Sequence, residues 1–264
     1  MIASTIKALI LDMDGVLWTE NSPIGDLPKI FKFISDSYLK VALATNNATR
    51  TPWQYIKRLG NFGVTSLQEW QIITSALVLT TELTKLFPEK GDVYIIGESG
   101  LESALEEAGF RVVDEDHTEH AIAVAIGIDR GLTFNKLRRA TLLIRKGLPF
   151  FGTNPDRTFP TPEGLILGTG AILSALSTAT DINPRIMGKP APNMISLARQ
   201  RMGTLPHETL VIGDRLETDI ASGQADGSLT AIVFSGVTQP EALDSWQPAP
   251  DYCAKDLSTL LEIR

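Results

Sequence analysis

Cysteine is nearly absent from this 264-residue chain. Cys253 stands alone, which excludes an internal disulfide, and no CxxC or Cys/His cluster offers a zinc site. A reducing, cytoplasmic compartment is the expectation. Long apolar runs are missing as well. No stretch approaches the roughly 20 uncharged apolar residues of a membrane span, and the short apolar run near the N-terminus meets Asp12 and Asp14 with no small-residue cleavage site in place. There is no basic excess either. The 24 Lys and Arg face 31 Asp and Glu, for a net charge of -7, so no nucleic-acid footprint is expected. Internal repeats, low-complexity tracts and long Pro/Ser linkers are also lacking, which excludes a tandem array.

What is present is ordinary in bulk, with 43% hydrophobic and 21% charged residues, the composition of a globular protein with a sizeable core. Short β-rich runs alternate with segments of helical period. The runs are "KALIL" (7–11), "KVALAT" (40–45), "RIMGK" (185–189), "ETLVIG" (208–213) and "LTAIVF" (229–234). "DLPKIFKFISDSY" and "APNMISLARQRMG" between them are apolar at i, i+3, i+4. This pattern predicts an α/β fold, a doubly wound parallel sheet with crossover helices. The alternation restarts on its own through "DVYIIG", "AIAVAIG" and "PFFGTN". The expected organisation is therefore a core of residues 1–83 and 184–264, with residues 84–183 inserted as a second α/β domain joined by two crossings.

Ligands of a parallel sheet bind beyond the carboxyl ends of its strands. There stand Asp12 and Asp14 in "DMDG", Thr45-Asn46-Asn47, Lys189, and Asp214 with Asp219 in "VIGDRLETDI". Each has an ordinary reading. Asp12-x-Asp14-Gly15 fits an Asx turn, and it lacks the third oxygen ligand of an EF-hand. Thr45-Asn46-Asn47 fits a cap on a helix opening near Thr51. Lys189 fits a surface lysine, and Asp214 and Asp219 fit acids at a helix N-terminus. Taken together they are complementary groups at one edge of one sheet. Asp12, Asp14 and Asp214 supply the all-oxygen environment that suits Mg²⁺. Thr45 and Asn46 offer donors to an anion at a helix start, and Lys189 adds positive charge. The combination predicts a magnesium-dependent phosphate site.

The ordered segments "DMDGVLW", "TNN", "GKP" and "GDRLETD" resemble the haloacid-dehalogenase-like (HAD) superfamily of aspartate-nucleophile phosphatases. The insertion, with "FGTNPD" and "GTGAI" inside it, resembles the NagD and p-nitrophenylphosphatase branch, and the likeness runs over nearly the whole chain. It implies a Rossmann-like core with an α/β cap. It further implies hydrolysis of small phosphorylated metabolites such as sugar phosphates, nucleotides, phosphoglycolate, pyridoxal phosphate or p-nitrophenyl phosphate. Asp12 would attack phosphorus and become an aspartyl phosphate, while Asp14 would protonate the leaving oxygen and then activate water. Mg²⁺ would be held by Asp12 and Asp214 through carboxylates and by Asp14 through its main-chain carbonyl. Lys189, Thr45, Asn46 and Asn47 would hold the phosphoryl group, with Asp219 supporting Asp214. A homodimer through the cap is an assembly the resemblance allows.

Two departures bear on the substrate. "LGTGA" (Leu167 to Ala171) replaces the "PGTGA" of many relatives, and Arg157, Thr158 and Phe159 fall where the family varies with substrate. For Phe159 packing within the cap is the favoured reading. Four other functions compete with this one. A phosphotransferase or mutase on the same residues is one, and a catalytically silent binding protein of this fold is another. A receiver-type signalling domain is disfavoured by Asp14, because a phosphate switch needs no built-in acid and base. A dehalogenase has no need of Asp14, Lys189 and Asp214 around a metal.

Overall fold

The computed structural model describes residues 2–161 and 163–263. The chain packs as two units, one of Met1–Thr45, Pro52–Ile73 and Lys189–Arg264, the other of Asn46–Thr51 and Thr74–Gly188. Both are α/β. No helix among the described residues is long and apolar enough to cross a membrane.

The first unit is built on a six-stranded sheet in the order Tyr252–Ala254, Leu229–Val233, Thr209–Gly213, Ala8–Leu11, Lys40–Thr45, Ile72–Thr74. Ala8–Leu11 is buried along its whole length. It runs parallel to both neighbours, with Leu11 beside Ile212 on one side and Leu43 on the other. A strand covered on both faces carries an unbroken apolar run rather than an alternation, which is why "ALIL" lies here. The helix Leu27–Asp36 opens at Asp26, whose carboxylate accepts from the Lys29 N–H at 3.1 Å. It buries Leu27, Ile30, Phe31 and Ile34, one stripe at helical spacing. The chain leaves Ala8–Leu11 for the strand on one side and returns much later to the strand on the other. That makes its carboxyl end a topological switch point, where such sheets bind ligands.

The second unit has its own five-stranded sheet, ordered Arg185–Ile186, Phe150–Gly152, Ala121–Ile126, Asp92–Ile96, Arg111–Val113, with every pair parallel. An antiparallel hairpin, Thr158–Thr161 with Gly164–Leu167, sets Phe159 beside Ile166.

Three expectations change. "RIMGK" is not a strand of the first unit; only Arg185–Ile186 is extended, and it pairs with Phe151–Gly152 in the second unit's sheet. Backbone bonds from the Met187 and Gly188 N–H groups to the Gly152 and Thr153 carbonyls follow it, and Pro190, which has no amide hydrogen to donate, comes two residues later. One of the two outer strands of the first unit's sheet is instead Tyr252–Ala254, a short and partly exposed segment with no clear apolar signal. The third change concerns the limits of the second unit, Thr74–Gly188 plus Asn46–Thr51 in place of 84–183, so the chain crosses four times rather than two. A division at 84 would cut the helix Ser75–Leu86, whose buried face includes Ala76, Leu79 and Leu83.

Candidate active site

Asp12 follows Leu11 directly, with its N–H still on the sheet ladder at 2.8 Å from the Ile212 carbonyl. Asp214 follows Gly213, and Thr45 is the last residue of its strand; both are buried. Lys189 is buried beside them. Its ammonium donates to Asp12 Oδ1 (2.5 Å), Asp219 Oδ1 (2.6 Å) and the Ala44 carbonyl (3.1 Å), an acceptor for each of its protons. The second oxygen of Asp219 accepts from the N–H groups of Asp214 (3.2 Å) and Arg215 (3.0 Å). Asp219 stands in a π-helical turn, Leu216–Ile220, a rare geometry found often at functional sites.

Glycine makes this packing possible at two places. Gly15 has φ +90, and a Cβ there would fall 2.5 Å from Asp214 Oδ2; a Cβ on Gly236 would fall 2.0 Å from the same atom. The Asp214 carboxylate thus lies where ordinary side chains would begin. Val237 N–H donates to Asp214 Oδ2 at 2.7 Å, but buried Asp214 Oδ1 has no hydrogen-bond partner.

Oxygens of Asp12, Asp214 and Asp219 lie within 4.8 Å of one another, with a single ammonium among them. Burial raises the Asp12 pKa well above the ordinary value; Lys189 opposes the rise, and Asp219 and Asp214 add to it. Burial and then Asp219 push Asp214 up to about 6. Burial works against the charge of Lys189, yet Asp12 and Asp219 outweigh it and hold its pKa above the usual lysine value. The orphaned Asp214 oxygen and the surplus of carboxylates fit a hard divalent cation with oxygen ligands.

The carboxylate of Asp14 lies outside that cluster. It is exposed, and its Oδ1 accepts from the buried indole Nε1–H of Trp18 at 2.8 Å. Among the described residues no hydrogen bond ends on its main-chain carbonyl, which leaves that oxygen available as a ligand.

The structure therefore brings Asp12, Asp14, Lys189, Asp214, Asp219 and Thr45 into one unit, while Asn46 and Asn47 belong to the other. Asn46 Nδ2 donates to Asp156 at 3.3 and 3.4 Å, and its carbonyl accepts from Ser75 and Asn154. Asn47 Oδ1 accepts from the N–H and hydroxyl of Thr49, so its side-chain oxygen closes an Asx turn. Arg157 is exposed and Phe159 half-buried. Sequence reasoning passed over Trp18, Gly236 and Val237. The Ser-Gly pair directly after the strand Leu229–Val233 and Phe234 was the available signal for the last two.

A haloacid dehalogenase-like hydrolase family model matches residues 9–111, and a HAD-hydrolase-like model matches residues 186–260. An acid sugar phosphatase of Staphylococcus epidermidis is 32% identical over 255 residues, which is 97% of this chain and 96% of the relative. The p-nitrophenyl phosphatase of Archaeoglobus fulgidus superposes with a TM-score of 0.90 at 31% identity, covering 97% of this chain and 98% of that one. The glycerol phosphate phosphatase Rv1692 of Mycobacterium tuberculosis, solved in complex with magnesium, gives a TM-score of 0.89 at 30% identity over 97% of this chain and 76% of its own. Motif, fold and similarity agree: the chain belongs to the haloacid-dehalogenase-like hydrolases, in their NagD and p-nitrophenylphosphatase-like branch, and is a phosphatase of that family.

Proposed function

We propose that the chain hydrolyses small phosphate monoesters, sugar phosphates among them, through an aspartyl phosphate on Asp12, with Mg²⁺ as cofactor. The observation that carries the reading is the buried Lys189 ammonium bridging Asp12 and Asp219 beside the orphaned oxygen of Asp214. The names of the similar acid sugar phosphatases and of the magnesium-bound glycerol phosphate phosphatase support the substrate class and the metal.

In this reading an Asp12 oxygen attacks phosphorus, the bond to the leaving oxygen breaks, and that oxygen takes the proton of Asp14. Water then attacks the aspartyl phosphate and gives its proton to Asp14, which restores both carboxyl groups and releases phosphate. Two like charges about 4 Å apart repel by about 4 kcal/mol at an effective dielectric near 20, so the attack needs compensating charge. Lys189 supplies part of it and holds Asp12 in one orientation, with Asp219 fixing the lysine in turn. Mg²⁺, held by the carboxylates of Asp12 and Asp214 and the Asp14 carbonyl, supplies the rest when bound. Thr45, Asn46 and Asn47 are assigned to the phosphoryl oxygens.

The test is phosphate release from a panel of sugar, nucleotide and aryl phosphates before and after chelation. Chelator should stop release and Mg²⁺ restore it, while Asp214→Ala should stay inactive with Mg²⁺ present. Full activity after exhaustive metal removal overturns the metal site.

A further inference from the structure

Trp18 is the largest fully buried side chain of the first unit, and its one polar atom is spent on an exposed acid. The indole Nε1–H donates to Asp14 Oδ1 at 2.8 Å. Residue spacing alone does not bring this about. The Met13 carbonyl gathers the N–H groups of Val16, Leu17 and Trp18, and Gly15 N–H donates to the Trp18 carbonyl at 2.8 Å. The loop is thereby wound tightly enough to fold the ring back on Asp14. The ring is then clamped. The Arg58 guanidinium lies 4.3 Å from its centroid, a cation-π contact, and the Phe62 ring packs at 6.0 Å. Arg58 also donates to the Glu20 carbonyl.

An indole nitrogen only donates. Whichever protonation state Asp14 takes, the oxygen facing Trp18 must accept. We infer that Trp18 is a positioning residue for the acid step: by occupying Oδ1 it confines the transferable proton of Asp14 to Oδ2 and stops the carboxyl group from rotating. No described hydrogen bond ends on Asp14 Oδ2, which leaves that oxygen for the leaving group and afterwards for water. An exposed carboxyl without such a partner would spend its time among rotamers, and the proton would sit on either oxygen. The inference rests on the proposed acid and base role of Asp14.

That role can be separated from mere packing by the leaving group. A p-nitrophenolate departs without a proton, whereas the alkoxide of glycerol or a sugar does not. kcat/KM reports steps only as far as formation of the aspartyl phosphate, so the later attack of water does not blur the comparison. Trp18→Phe keeps an aromatic ring in the wall and removes the N–H. Its kcat/KM for an alkyl ester such as glycerol phosphate should fall about tenfold or more, with p-nitrophenyl phosphate held within about twofold. Asp14→Asn is the reference. If it lowers both esters equally, the acid role of Asp14 itself is wrong. If it selects against the alkyl ester and a folded Trp18→Phe protein does not, the role of Trp18 is wrong while that of Asp14 stands. Should Trp18→Phe fail to fold, Arg58→Met leaves the indole in place but loosens its clamp. It should show the same selective loss, about threefold, and an equal loss on both esters overturns the inference.

Discussion

Asp214 is poorly satisfied in the first unit without a metal. One of its oxygens is buried with no donor, and its pKa stands at about 6 against an ordinary 3.8. The metal-free folded chain therefore holds a proton that the unfolded chain releases, so stability falls as pH rises between those values. The cost at neutral pH is about 3 kcal/mol. In chelator, Asp214→Asn should be more stable than the parent by an amount of that order at neutral pH and no more stable below about pH 4, as urea titrations would read. A difference unchanged across the range would refute the assignment. Asp12→Asn should fold with its strand intact and release no phosphate, because an amide is a poor nucleophile; wild-type release from a folded variant would remove Asp12 from the chemistry. These two residues were legible in the sequence because a charged group directly after an apolar strand is costly unless something meets it. Trp18 was not legible, since a tryptophan in an apolar stretch reads as core and nothing in its spacing reports where the indole nitrogen points.

Elements were legible where periodicity was long and apolar. Ala8–Leu11, Lys40–Thr45 and Thr209–Gly213 all lie inside the expected runs, and each has a partner on both sides in the sheet. Tyr252–Ala254 escaped because an edge strand needs less apolar surface, and Arg185–Ile186 was assigned to the wrong sheet because strand propensity carries no address. The helix Asn193–Met202 shows what holds the elements once formed. Its Arg199 donates to both oxygens of Asp226, at 2.6 and 2.9 Å, and Ser196 and Ser228 complete the carboxylate's partners. Burial works to raise the Asp226 pKa, but Arg199 and the two serines outweigh it and leave it lowered. The stabilisation is present above the ordinary carboxylate range and is lost as pH falls through the depressed value. Arg199→Met leaves a buried, half-satisfied charge and should cost about 3 kcal/mol, while Arg199→Met with Asp226→Leu should recover most of it. A single-variant loss under about 0.5 kcal/mol, the size of an exposed pair, would show that the pair contributes little.

At the scale of the whole molecule, every carboxylate of the proposed chemistry, with Lys189, belongs to one unit, and Arg157 and Phe159 belong to the other. The expectation to be tested is that the second unit selects among leaving groups. Arg157→Ala and Phe159→Ala should reorder a panel of phosphate esters while leaving p-nitrophenyl phosphate within about threefold; variants that scale all esters alike would sink the assignment. The sequence announced a second α/β body but misplaced its limits, because Ser75–Leu86 is a helix whose affiliation depends on what it packs against. Those limits bear on how such an enzyme is recombined. Of the four places where the chain changes unit, two, between Thr45 and Asn46 and between Gly188 and Lys189, touch residues assigned to the phosphoryl group. A chimera that borrows the second unit of a relative has no neutral spacer in which to place those seams. A crossover displaced by a single residue in one direction would import the donor's threonine or lysine position along with its selectivity. Grafts cut at these joints and grafts cut a few residues inside the second unit are therefore different experiments, and only the second kind keeps the recipient's own phosphate contacts intact.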